Sequence, residues 1–480
     1  MAFTLPPIDL PLEYALDFHL EKNPDHVAIT YPSGDSKDLK SYSYRDLVPA
    51  IHRAGQAVLE SFTESTRATS PVVVIIIKTD SITYLTVIAG LLRAGLTPFP
   101  ISSRFPASVI THLVNESRPG AILVDDSTRD FVKSALSEHK LQPSLCPLPS
   151  FSSLFPGHNE YTPLPKHDRK PEDICTLMHS SSSTAVFPKL IPWSSIALTH
   201  HGEIQDVPLQ DLPGRVLGCF GMEMFHSYGM CVFFTMVRRG LVLAMMDPLE
   251  PASILPVEMD EVFRCFQISK PEMLLANPRA IEIWAEDPEI VAEFRDSGVT
   301  IYYGGRFLNK NVGDRLVRSG VKICTVYGGT ESGPMLILPH FQGEDWEYFA
   351  VHPRPDVNFV SRGDDDLFEL FVAPEEEPNY VACANAIWKG RPAYNPGDLF
   401  LAHPYKPHTY KMFGRLNDQI MLATGQAINP ITIEEELSKH PLIKTAVMFG
   451  HTRFRVGLVV EAPDSLYERN EQGSYLEDIW

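Results

Sequence analysis

The stretch Pro71-Val-Val-Val-Ile-Ile-Ile-Lys78 and the segment that follows it decide the predicted fold of this chain. Six consecutive β-branched residues predict a strand that is buried on both faces, as in a parallel sheet. A helix over residues 81–93 comes next, with Ser81 as its N-cap and Gly95 as its stop. Extended segments at Thr97 and at Ala121 complete a strand–helix–strand unit. The predicted class is therefore α/β, with helices covering a sheet.

The same pattern continues through the middle of the chain and changes near its end. A helix is expected near residues 228–238, and the proline-rich residues 143–171 lack periodicity, which predicts a surface linker. Residues 364–410 contain short alternating segments, which predict a small antiparallel β-rich unit. Further strands are predicted where apolar runs lead into polar or glycine-rich turns, at residues 216–220, 241–246, 273–276, 300–303 and 323–327.

Composition excludes several classes of protein. The chain has 480 residues, 44% hydrophobic and 21% charged, which is typical of a globular protein of two or three domains. Its formal charge is −19 and it has no basic run, so binding to nucleic acid or to an anionic membrane is disfavoured. Seven scattered cysteines predict free thiols in a reducing compartment rather than a zinc or disulfide site. With neither a signal peptide nor a membrane-spanning stretch in the pattern, we expect a cytoplasmic location.

Four polar or glycine-rich turns follow predicted strands, where ligands bind in α/β sheets. The first is Met178-His-Ser-Ser-Ser-Ser-Thr-Ala-Val-Phe-Pro-Lys-Leu190. A serine run alone is more typical of a solvated loop, but the lysine at its end makes polyphosphate binding a competing interpretation. The candidate phosphate-binding residues in this turn are Ser180, Ser181, Ser182, Ser183, Thr184 and Lys189.

The second and third turns are rich in glycine. In Tyr302-Tyr-Gly-Gly-Arg306 two glycines allow close approach of a backbone to a ring or sugar, although a tight turn needs the same residues. The third turn, Val326-Tyr-Gly-Gly-Thr-Glu-Ser-Gly-Pro334, combines an aromatic face, two glycines, a hydroxyl and a carboxylate suited to a metal ion. Polar groups this dense between apolar runs favour a functional role.

The fourth turn has two parts, Tyr394-Asn-Pro-Gly-Asp-Leu-Phe400 and Met412-Phe-Gly-Arg-Leu-Asn-Asp-Gln-Ile420. Asp398 is placed to bind two ribose hydroxyls, as acidic residues do in nucleotide sites. Arg415 is a candidate for a charge-assisted contact with the same nucleotide. A Gly-Asp turn is equally common in purely structural positions.

Taken in this order, the four turns resemble the adenylate-forming superfamily of acyl-CoA ligases, luciferases and non-ribosomal peptide synthetase adenylation domains, over nearly the whole chain. The serine-rich turn resembles the phosphate loop of that family, and Tyr327-Gly-Gly-Thr-Glu331 resembles its adenine and magnesium motif. Asn395-Pro-Gly-Asp398 is similar to its ribose motif, and Gly414-Arg-Leu-Asn417 to its hinge. The stretch Ala423-Thr-Gly-Gln-Ala-Ile-Asn-Pro430, together with His179, resembles fungal adenylate-forming reductases in particular.

The resemblance implies an N-terminal adenylation core over residues 1–415, then a hinge and a partial C-terminal α+β subdomain over 416–480. It implies that ATP and a carboxylic acid give an acyl adenylate and pyrophosphate with Mg²⁺. The serine-rich turn and Lys189 would hold the β- and γ-phosphates, Thr330 would reach the α-phosphate, and Glu331 would bind the metal ion. The rest of the nucleotide, from adenine to ribose, would be held by Gly304, Gly305, Arg306, Tyr327, Gly328, Gly329, Asp398 and Arg415.

The resemblance also bears on the acid and on the partners. His226, in Phe225-His-Ser-Tyr-Gly229, matches the motif that borders the acid site, where members that activate amino acids carry an aspartate. With no fixed negative charge there, an ammonium group would lie unpaired. We therefore expect an aryl or other non-amino acid that accepts a hydrogen bond from His226, although a core histidine is the alternative. The expected partners are a phosphopantetheinyl carrier domain and a thioester reductase domain.

Three departures from the family pattern leave alternatives open. Ser182 and Ala185 fall where the phosphate loop has glycines, and Asn417 takes the usual hinge position. The catalytic lysine of the C-terminal domain has no counterpart before Trp480, so we expect slow adenylation. The alternatives are a degenerate nucleotide-binding pseudo-adenylation domain and a free-standing acyl-CoA ligase.

Overall fold

The computed structural model of the chain describes residues 3–34, 38–61, 70–137, 143–180, 187–203, 212–249, 257–337, 343–350, 356–362, 367–375, 380–416, 419–423, 427–437 and 440–463. Backbone contacts divide the chain into two compact units. The first unit contains residues 1–357 and 372–394, and the second contains residues 358–371 and 395–480. Contacts thus group residues 395–415 with the later segment, and a family-type domain boundary at residue 415 stays a prediction.

The helices of the described residues begin and end as follows: α1 (Leu12–Lys22), α2 (Tyr44–Glu60), α3 (Ser81–Arg93), α4 (Ala107–Ser117), α5 (Asp126–Ala135), α6 (Phe151–Leu154), α7 (Ser195–Gly202), α8 (Ser227–Arg239), α9 (Met259–Ser269), α10 (Pro278–Trp284), α11 (Pro288–Ser297), α12 (Lys310–Arg318) and α13 (Pro430–Leu437). A 3₁₀ turn covers Gly343–Asp345.

The strands are β1 (Val27–Pro32), β2 (Leu39–Ser43), β3 (Val72–Ile76), β4 (Thr97–Pro100), β5 (Ala121–Val124), β6 (Ser144–Pro147), β7 (Ile174–His179), β8 (Leu190–Ser194), β9 (Val216–Gly218), β10 (Val242–Ala244), β11 (Met273–Leu275), β12 (Thr300–Gly304), β13 (Lys322–Gly329), β14 (Gly333–Ile337), β15 (Phe349–Ala350), β16 (Val357–Ser361), β17 (Leu367–Val372), β18 (Ala386–Trp388), β19 (Arg391–Ala393), β20 (Asp398–Ala402), β21 (Thr409–Arg415), β22 (Ile420–Met421), β23 (Ala427–Ile428), β24 (Thr445–Phe449) and β25 (Gly457–Glu461).

Two sheets with parallel centres build the first unit. The larger sheet has the order β14-β13-β12-β11-β9-β10-β1-β2, and only its two edge pairs, β13–β14 and β1–β2, are antiparallel. The smaller sheet, β4-β3-β5-β6, is parallel throughout. Strands β7 and β8 pair with each other as an antiparallel hairpin. The α/β class predicted from the sequence is confirmed, and the parallel strands of the larger sheet deliver the glycine-rich turns to one edge.

The opening strand–helix unit has the predicted bounds but a different helix cap. Strand β3 is buried apart from its first residue, and α3 covers Ser81–Arg93. The N-cap is Asp80, whose carboxylate accepts a hydrogen bond from the Thr83 N–H at 2.8 Å, so the prediction of Ser81 was wrong by one residue. A carboxylate one position earlier reaches the third N–H of the helix. Gly95 has φ +74° just after the helix, as predicted for its stop.

Residues 143–171 are bound to the first unit more closely than a surface linker would be. The segment contains β6, which extends the smaller sheet, and the short helix α6. Two arginines from α2 and α3 donate hydrogen bonds to its carbonyl groups. Arg53 donates to Leu154, His158 and Glu160, and the almost completely buried Arg93 donates to Leu164 and Pro165. The linker prediction was therefore wrong for β6 and α6, whereas residues 155–171 contain no helix or strand and are mostly exposed, as predicted. Guanidinium donors there replace the sheet or helix partners that the sequence pattern lacks.

The second unit is largely antiparallel. Within it, β21, β20, β17 and β16 lie side by side in that order. Strands β22 and β23 form one hairpin, and β24 and β25 form another that contacts α13. The antiparallel pairing predicted for residues 364–410 is present, but the hairpin of β18 and β19 belongs to the first unit.

Two other expectations concern membranes and cysteines. No helix among the described residues is long and apolar enough to cross a membrane. All seven cysteines are free thiols, and six of them are buried, as predicted. Cys383, the half-buried exception, lies near the candidate site.

Helices α2 and α3 pack at two facing glycines. A Cβ atom on Gly90 would lie 2.6 Å from the Gly55 nitrogen and 2.7 Å from the Ile51 oxygen, and a Cβ on Gly55 would lie 2.5 Å from the Gly90 oxygen. These distances are far below van der Waals contact with rigid backbone atoms. The close packing of the two helices therefore depends on both glycines.

We predict that Gly90→Ala destabilises the protein by about 1–3 kcal/mol, because the added methyl forces the two helices apart. In a helix with free space at this position, Gly→Ala would stabilise the protein. The sign of the change in stability therefore tests the packing. Thermal unfolding followed by circular dichroism measures the effect, with Ser134→Ala at an exposed position of α5 as the control. A melting temperature for Gly90→Ala equal to or above that of the parent chain would contradict the packing argument.

Candidate functional site

The serine-rich turn connects two antiparallel strands. His179 pairs with Leu190 at the ends of β7 and β8. Beyond this pair, the Ser180 N–H donates to the Lys189 carbonyl at 3.0 Å, and the Lys189 N–H donates to the Ser180 hydroxyl at 2.9 Å. Lys189 and Ser180 are thus held opposite each other where the connection begins and ends. Ser181, Ser182, Ser183 and Thr184 lie outside the described residues.

The two glycine-rich turns lie side by side. Strands β12 and β13 are parallel, with Gly304 opposite Val326, and a Cβ on Gly304 would lie 2.7 Å from the Val326 oxygen. Gly305 follows with φ +83° and nothing within 4 Å of its Cβ position, which leaves one side of the turn open. The ring of Tyr327 stacks with Phe349 at 6.0 Å. The structure therefore brings together two segments that the sequence linked only by pattern.

Thr330 is held by two other elements of the first unit. It follows Gly328 and Gly329 in the connection between β13 and β14, where a Cβ on Gly328 would lie 2.7 Å from the Gly333 oxygen. The indole N–H of Trp193, on β8, donates to the Thr330 carbonyl at 2.7 Å. The Ser227 hydroxyl, at the start of α8, lies 3.1 Å from the Thr330 hydroxyl. The first contact fixes the main chain of Thr330 and the second its side chain, which the family resemblance predicts to reach the α-phosphate.

Glu331 and Lys189 both lie near Cys383. The Ala382 N–H donates to the Glu331 carbonyl at 3.0 Å, which places residues 380–385 against the turn. Burial raises the pKa of the Cys383 thiol, the Glu331 charge raises it further, and the Lys189 charge opposes them. The predicted metal ligand and the predicted phosphate-binding lysine are therefore in one neighbourhood.

The single carboxylate of Glu331 suits Mg²⁺ better than it suits a metal ion that is bound by protein side chains alone. Among the described residues no group of three or more His, Cys, Asp or Glu side chains is placed to hold a metal ion. Mg²⁺ is usually bound by one or two carboxylates together with substrate phosphates. A single carboxylate near a lysine that is predicted to bind phosphate fits that pattern.

His226 stands beside an ion pair that the sequence did not reveal. It is the N-cap residue of α8, and its side chain is 49% exposed. Arg104, from the loop after β4, forms a salt bridge with Glu223, whose other oxygen lies 3.9 Å from His226 Nε2. The Arg104 guanidinium also lies 5.6 Å from the centre of the Phe225 ring. Desolvation lowers the pKa of His226, Glu223 raises it and Arg104 lowers it, and the net shift is downward.

A cavity of about 30 Å³ is lined in part by Phe225. Its lining includes Lys78, Tyr84, Arg104 and Met224.

His179 is buried next to the serine-rich turn. Its Nδ1 lies 3.1 Å from the Ser180 carbonyl oxygen, which only accepts, so Nδ1 carries the proton. Burial lowers the pKa of His179, and the nearby His226 lowers it further. His179 and His226 therefore lie near each other, and the lowered pKa of each favours its neutral form.

The second unit contains the other two predicted nucleotide ligands. Asp398 and Arg415 are partners in the register of β20 and β21, and Arg415 Nε lies 3.3 Å from the Asp398 carboxylate. Asp398 is only 4% exposed, and the turn before it is shaped by Gly397 at φ +73°. The Gly397 N–H donates to the Asn395 side chain at 2.6 Å. A Gly-Asp motif followed by a cross-strand arginine is thus one structural feature.

The role of one predicted residue stays a prediction, and the sequence analysis did not identify several other residues around the site. Arg306 is exposed, and its guanidinium lies 3.2 Å from Glu282, so its role toward the nucleotide stays a prediction. Arg104, Glu223 and Trp193 were missed because each acts through a partner distant in the sequence. Ser227 had a signal, since it adjoins His226 in the Phe-His-x-x-Gly motif.

An α/β domain with this arrangement of turns has the architecture of adenylate-forming enzymes, and comparison with known proteins agrees. The model for the AMP-binding enzyme family matches residues 16–358, and the model for the C-terminal domain of AMP-binding enzymes matches residues 417–480. The chain therefore belongs to the AMP-binding enzyme family, the adenylate-forming superfamily, and is an ATP-dependent carboxylate-adenylating enzyme.

Among similar curated proteins, the adenylate-forming reductase Nps10 of Heterobasidion annosum is 32% identical over 97% of this chain and 44% of its own length. The carboxylic acid reductase of Neurospora crassa is 24% identical over 98% of this chain and 45% of its own. The chain thus spans less than half the length of these relatives.

Solved structures agree on the fold. The anthranilate CoA ligase AuaEII in complex with anthranoyl-AMP superposes with a TM-score of 0.73 at 14% identity, covering 99% of this chain and 90% of that one. The O-succinylbenzoate CoA synthetase MenE of Bacillus subtilis in complex with AMP gives a TM-score of 0.73 at 18% identity, covering 98% and 92%.

We predict that the pKa of His226 responds in opposite directions to its two charged neighbours. Glu223→Gln removes a negative charge and lowers the pKa further, so less His226 is protonated at pH 6. Arg104→Gln removes a positive charge and raises the pKa, so more is protonated. Nuclear magnetic resonance titration of ¹³C-labelled histidines measures both, with His226→Gln to assign the signal. Shifts of the same sign, or none, would show that these charges do not govern His226.

Proposed function

We propose that this chain adenylates an aryl or other non-amino carboxylic acid, and that His226 donates a hydrogen bond to the carboxylate or to a ring hydroxyl of that acid. The observation that carries this proposal is the charge arrangement at His226. A histidine occupies the motif position, and the nearest carboxylate, Glu223, is already paired with Arg104. An incoming ammonium would meet a neutral imidazole and a neutralised carboxylate.

The chemical step depends on positioning and on charge neutralisation. A carboxylate oxygen of the acid forms a bond to the α-phosphorus of ATP, the bond from that phosphorus to the bridging oxygen breaks, and pyrophosphate leaves. The serine-rich turn, with Ser180, Ser181, Ser182, Ser183 and Thr184, and Lys189 would bind the β- and γ-phosphates. Thr330 would donate to an α-phosphate oxygen. When bound at Glu331, Mg²⁺ would supply further positive charge to the phosphates.

The glycine turns suit a nucleotide. Gly304 lies against the Val326 carbonyl, directly before Tyr327, and Gly305 follows with nothing within 4 Å of its Cβ position. In our proposal they frame the adenine together with Gly328, Gly329 and Arg306. Asp398 would bind the ribose hydroxyls, with Arg415 beside it to hold the carboxylate in place.

His226 is suited to a neutral donor role. Its lowered pKa keeps the imidazole uncharged near pH 7, so one ring nitrogen carries a proton. Glu223 lies 3.9 Å from Nε2, beyond hydrogen-bond distance, so this nitrogen is not committed to that carboxylate. The ring is half exposed and remains accessible to a small acid.

The fate of the acyl group is part of the same proposal. Similar proteins of about twice this length are adenylate-forming and carboxylic acid reductases. We propose that a carrier's phosphopantetheine thiol takes the acyl group and that a reductase domain then reduces the thioester. A cytoplasmic location and a role in secondary metabolism belong to this proposal.

We predict that acids without an α-ammonium group are preferred by at least about 10-fold over the matching amino acids. ATP–pyrophosphate exchange with benzoic-type acids, 2-oxo acids, amino acids and their deamino analogues measures the preference. Phenylalanine against 3-phenylpropanoate is the sharpest pair, because only the ammonium differs.

A preference for any α-amino acid over its deamino analogue would overturn the assignment of the acid class. Nucleotide binding without exchange for any acid would instead favour the degenerate domain, and efficient transfer to free CoA would favour an acyl-CoA ligase.

We predict that Asp398→Ala weakens AMP binding about 10- to 100-fold, because charge-assisted hydrogen bonds to the ribose contribute about 1.5–3 kcal/mol each. Asp398→Asn separates the loss of charge from the loss of volume. Isothermal titration calorimetry gives the dissociation constants. Asp130→Ala, at a side chain that is 94% exposed in the first unit, is the control. Equal affinities for the Asp398 and Asp130 variants would remove Asp398 from the nucleotide site.

A further inference from the structure

Ser227 connects the acid-binding motif to the nucleotide-binding motif. It directly follows His226 and begins α8, yet its hydroxyl lies 3.1 Å from the hydroxyl of Thr330, 103 residues further along the chain. The Thr330 carbonyl accepts a hydrogen bond from Trp193 at 2.7 Å. Thr330 is therefore held by its main chain from one element and by its side chain from another.

The start of α8 is itself rigidly placed. A Cβ on Gly229 would lie 2.7 Å from the main-chain carbonyl oxygen of Glu223, so the backbone packs tightly on the preceding loop. The Met230 N–H donates to the His226 carbonyl at 3.1 Å, and the residues from Gly229 to Arg238 are buried. The backbone at position 227 is therefore held within reach of Thr330.

The number of protons on the Ser227 and Thr330 hydroxyls decides which of them donates the hydrogen bond. A hydroxyl donates one hydrogen bond and accepts two. The oxygen atoms of an α-phosphate only accept hydrogen bonds. The Thr330 hydroxyl must therefore donate its single proton to the phosphate when nucleotide is bound. Ser227 must then be the donor to Thr330. The result is a chain of hydrogen bonds from Ser227 through Thr330 to phosphate, in which each bond strengthens the next.

We propose that Ser227 is a positioning residue for adenylation, which orients the Thr330 hydroxyl so that its proton points to the α-phosphate. The inference rests on the proposed role of Thr330. Negative charge on the α-phosphate oxygens must be stabilised as the carboxylate attacks, so a misdirected donor costs more in the transition state than in the ground state. Loss of Ser227 therefore lowers kcat more than it raises KM for ATP.

A double-mutant cycle tests the inference by ATP–pyrophosphate exchange with the 480-residue chain and its preferred acid. Ser227→Ala is expected to lower kcat about 3- to 10-fold, the effect of one neutral hydrogen bond, with KM for ATP changed less than about 2-fold. Thr330→Ala is expected to lower kcat further. The double variant is expected to match Thr330→Ala, because Ser227 acts through Thr330. Ser227→Thr retains a hydroxyl and is expected to retain most of the activity.

Thr235→Val is the matched control, since it removes another hydroxyl of α8 that bonds only within the helix, to the Cys231 carbonyl at 2.9 Å. Melting temperatures confirm that each variant is folded. Ser227→Ala with full activity, or losses that add up in the double variant, would overturn the positioning role while leaving Thr330 in place. Full activity of Thr330→Ala would remove the proposed role of Thr330 itself, and the inference with it.

Discussion

The close approach of β12 and β13 at their carboxyl ends is the constraint on which the rest of the site depends. Gly304 lies against the Val326 carbonyl, and Gly328 lies against Gly333, at distances that leave no room for a Cβ atom. Because these backbones meet, the two turns open at the same edge of the sheet, and Thr330 follows at a fixed place. Trp193 then ties the β7–β8 hairpin to this edge through the Thr330 carbonyl. One packing constraint thus sets the positions of the residues of the first unit that are predicted to bind phosphate, adenine and the metal ion.

The charges around His226 are a second constraint on the site. Glu223 lies between Arg104 and His226, so it is neutralised by one neighbour while it partly offsets the desolvation of the other. The net result is a neutral imidazole in a half-exposed position and no spare negative charge among the described groups around it. In our proposal, this region recognises the acid by a hydrogen bond from His226 rather than by an ion pair. Ser227 joins this region to Thr330, so the proposed acid and nucleotide sites share the start of α8.

Much of the fold could be predicted because its signals are local. The β-branched run of β3, the bounds of α3 and the left-handed Gly95 follow from backbone sterics and burial over a few residues. The cap was misplaced by one residue because Asp80 and Ser81 are both good caps and only the geometry selects between them. Residues 155–171 are an irregular surface segment, as predicted, but the contacts of this region with Arg53 and Arg93 were missed because these arginines lie far away in the chain. A carbonyl that is satisfied by a distant guanidinium leaves no periodic trace in the sequence.

The sequence by itself determined the α/β class, the family and the candidate residues of the four turns, because each of these is encoded by neighbouring residues whose types have specific backbone and chemical requirements. Only the tertiary structure decided which side chains those residues meet. The pairings of Arg104 with Glu223, of Trp193 with the Thr330 carbonyl and of Ser227 with the Thr330 hydroxyl join segments more than 100 residues apart. Such contacts depend on how strands and helices pack in three dimensions. A hydrogen bond or an ion pair selects its partner by distance and angle, and one chain alone does not display either quantity.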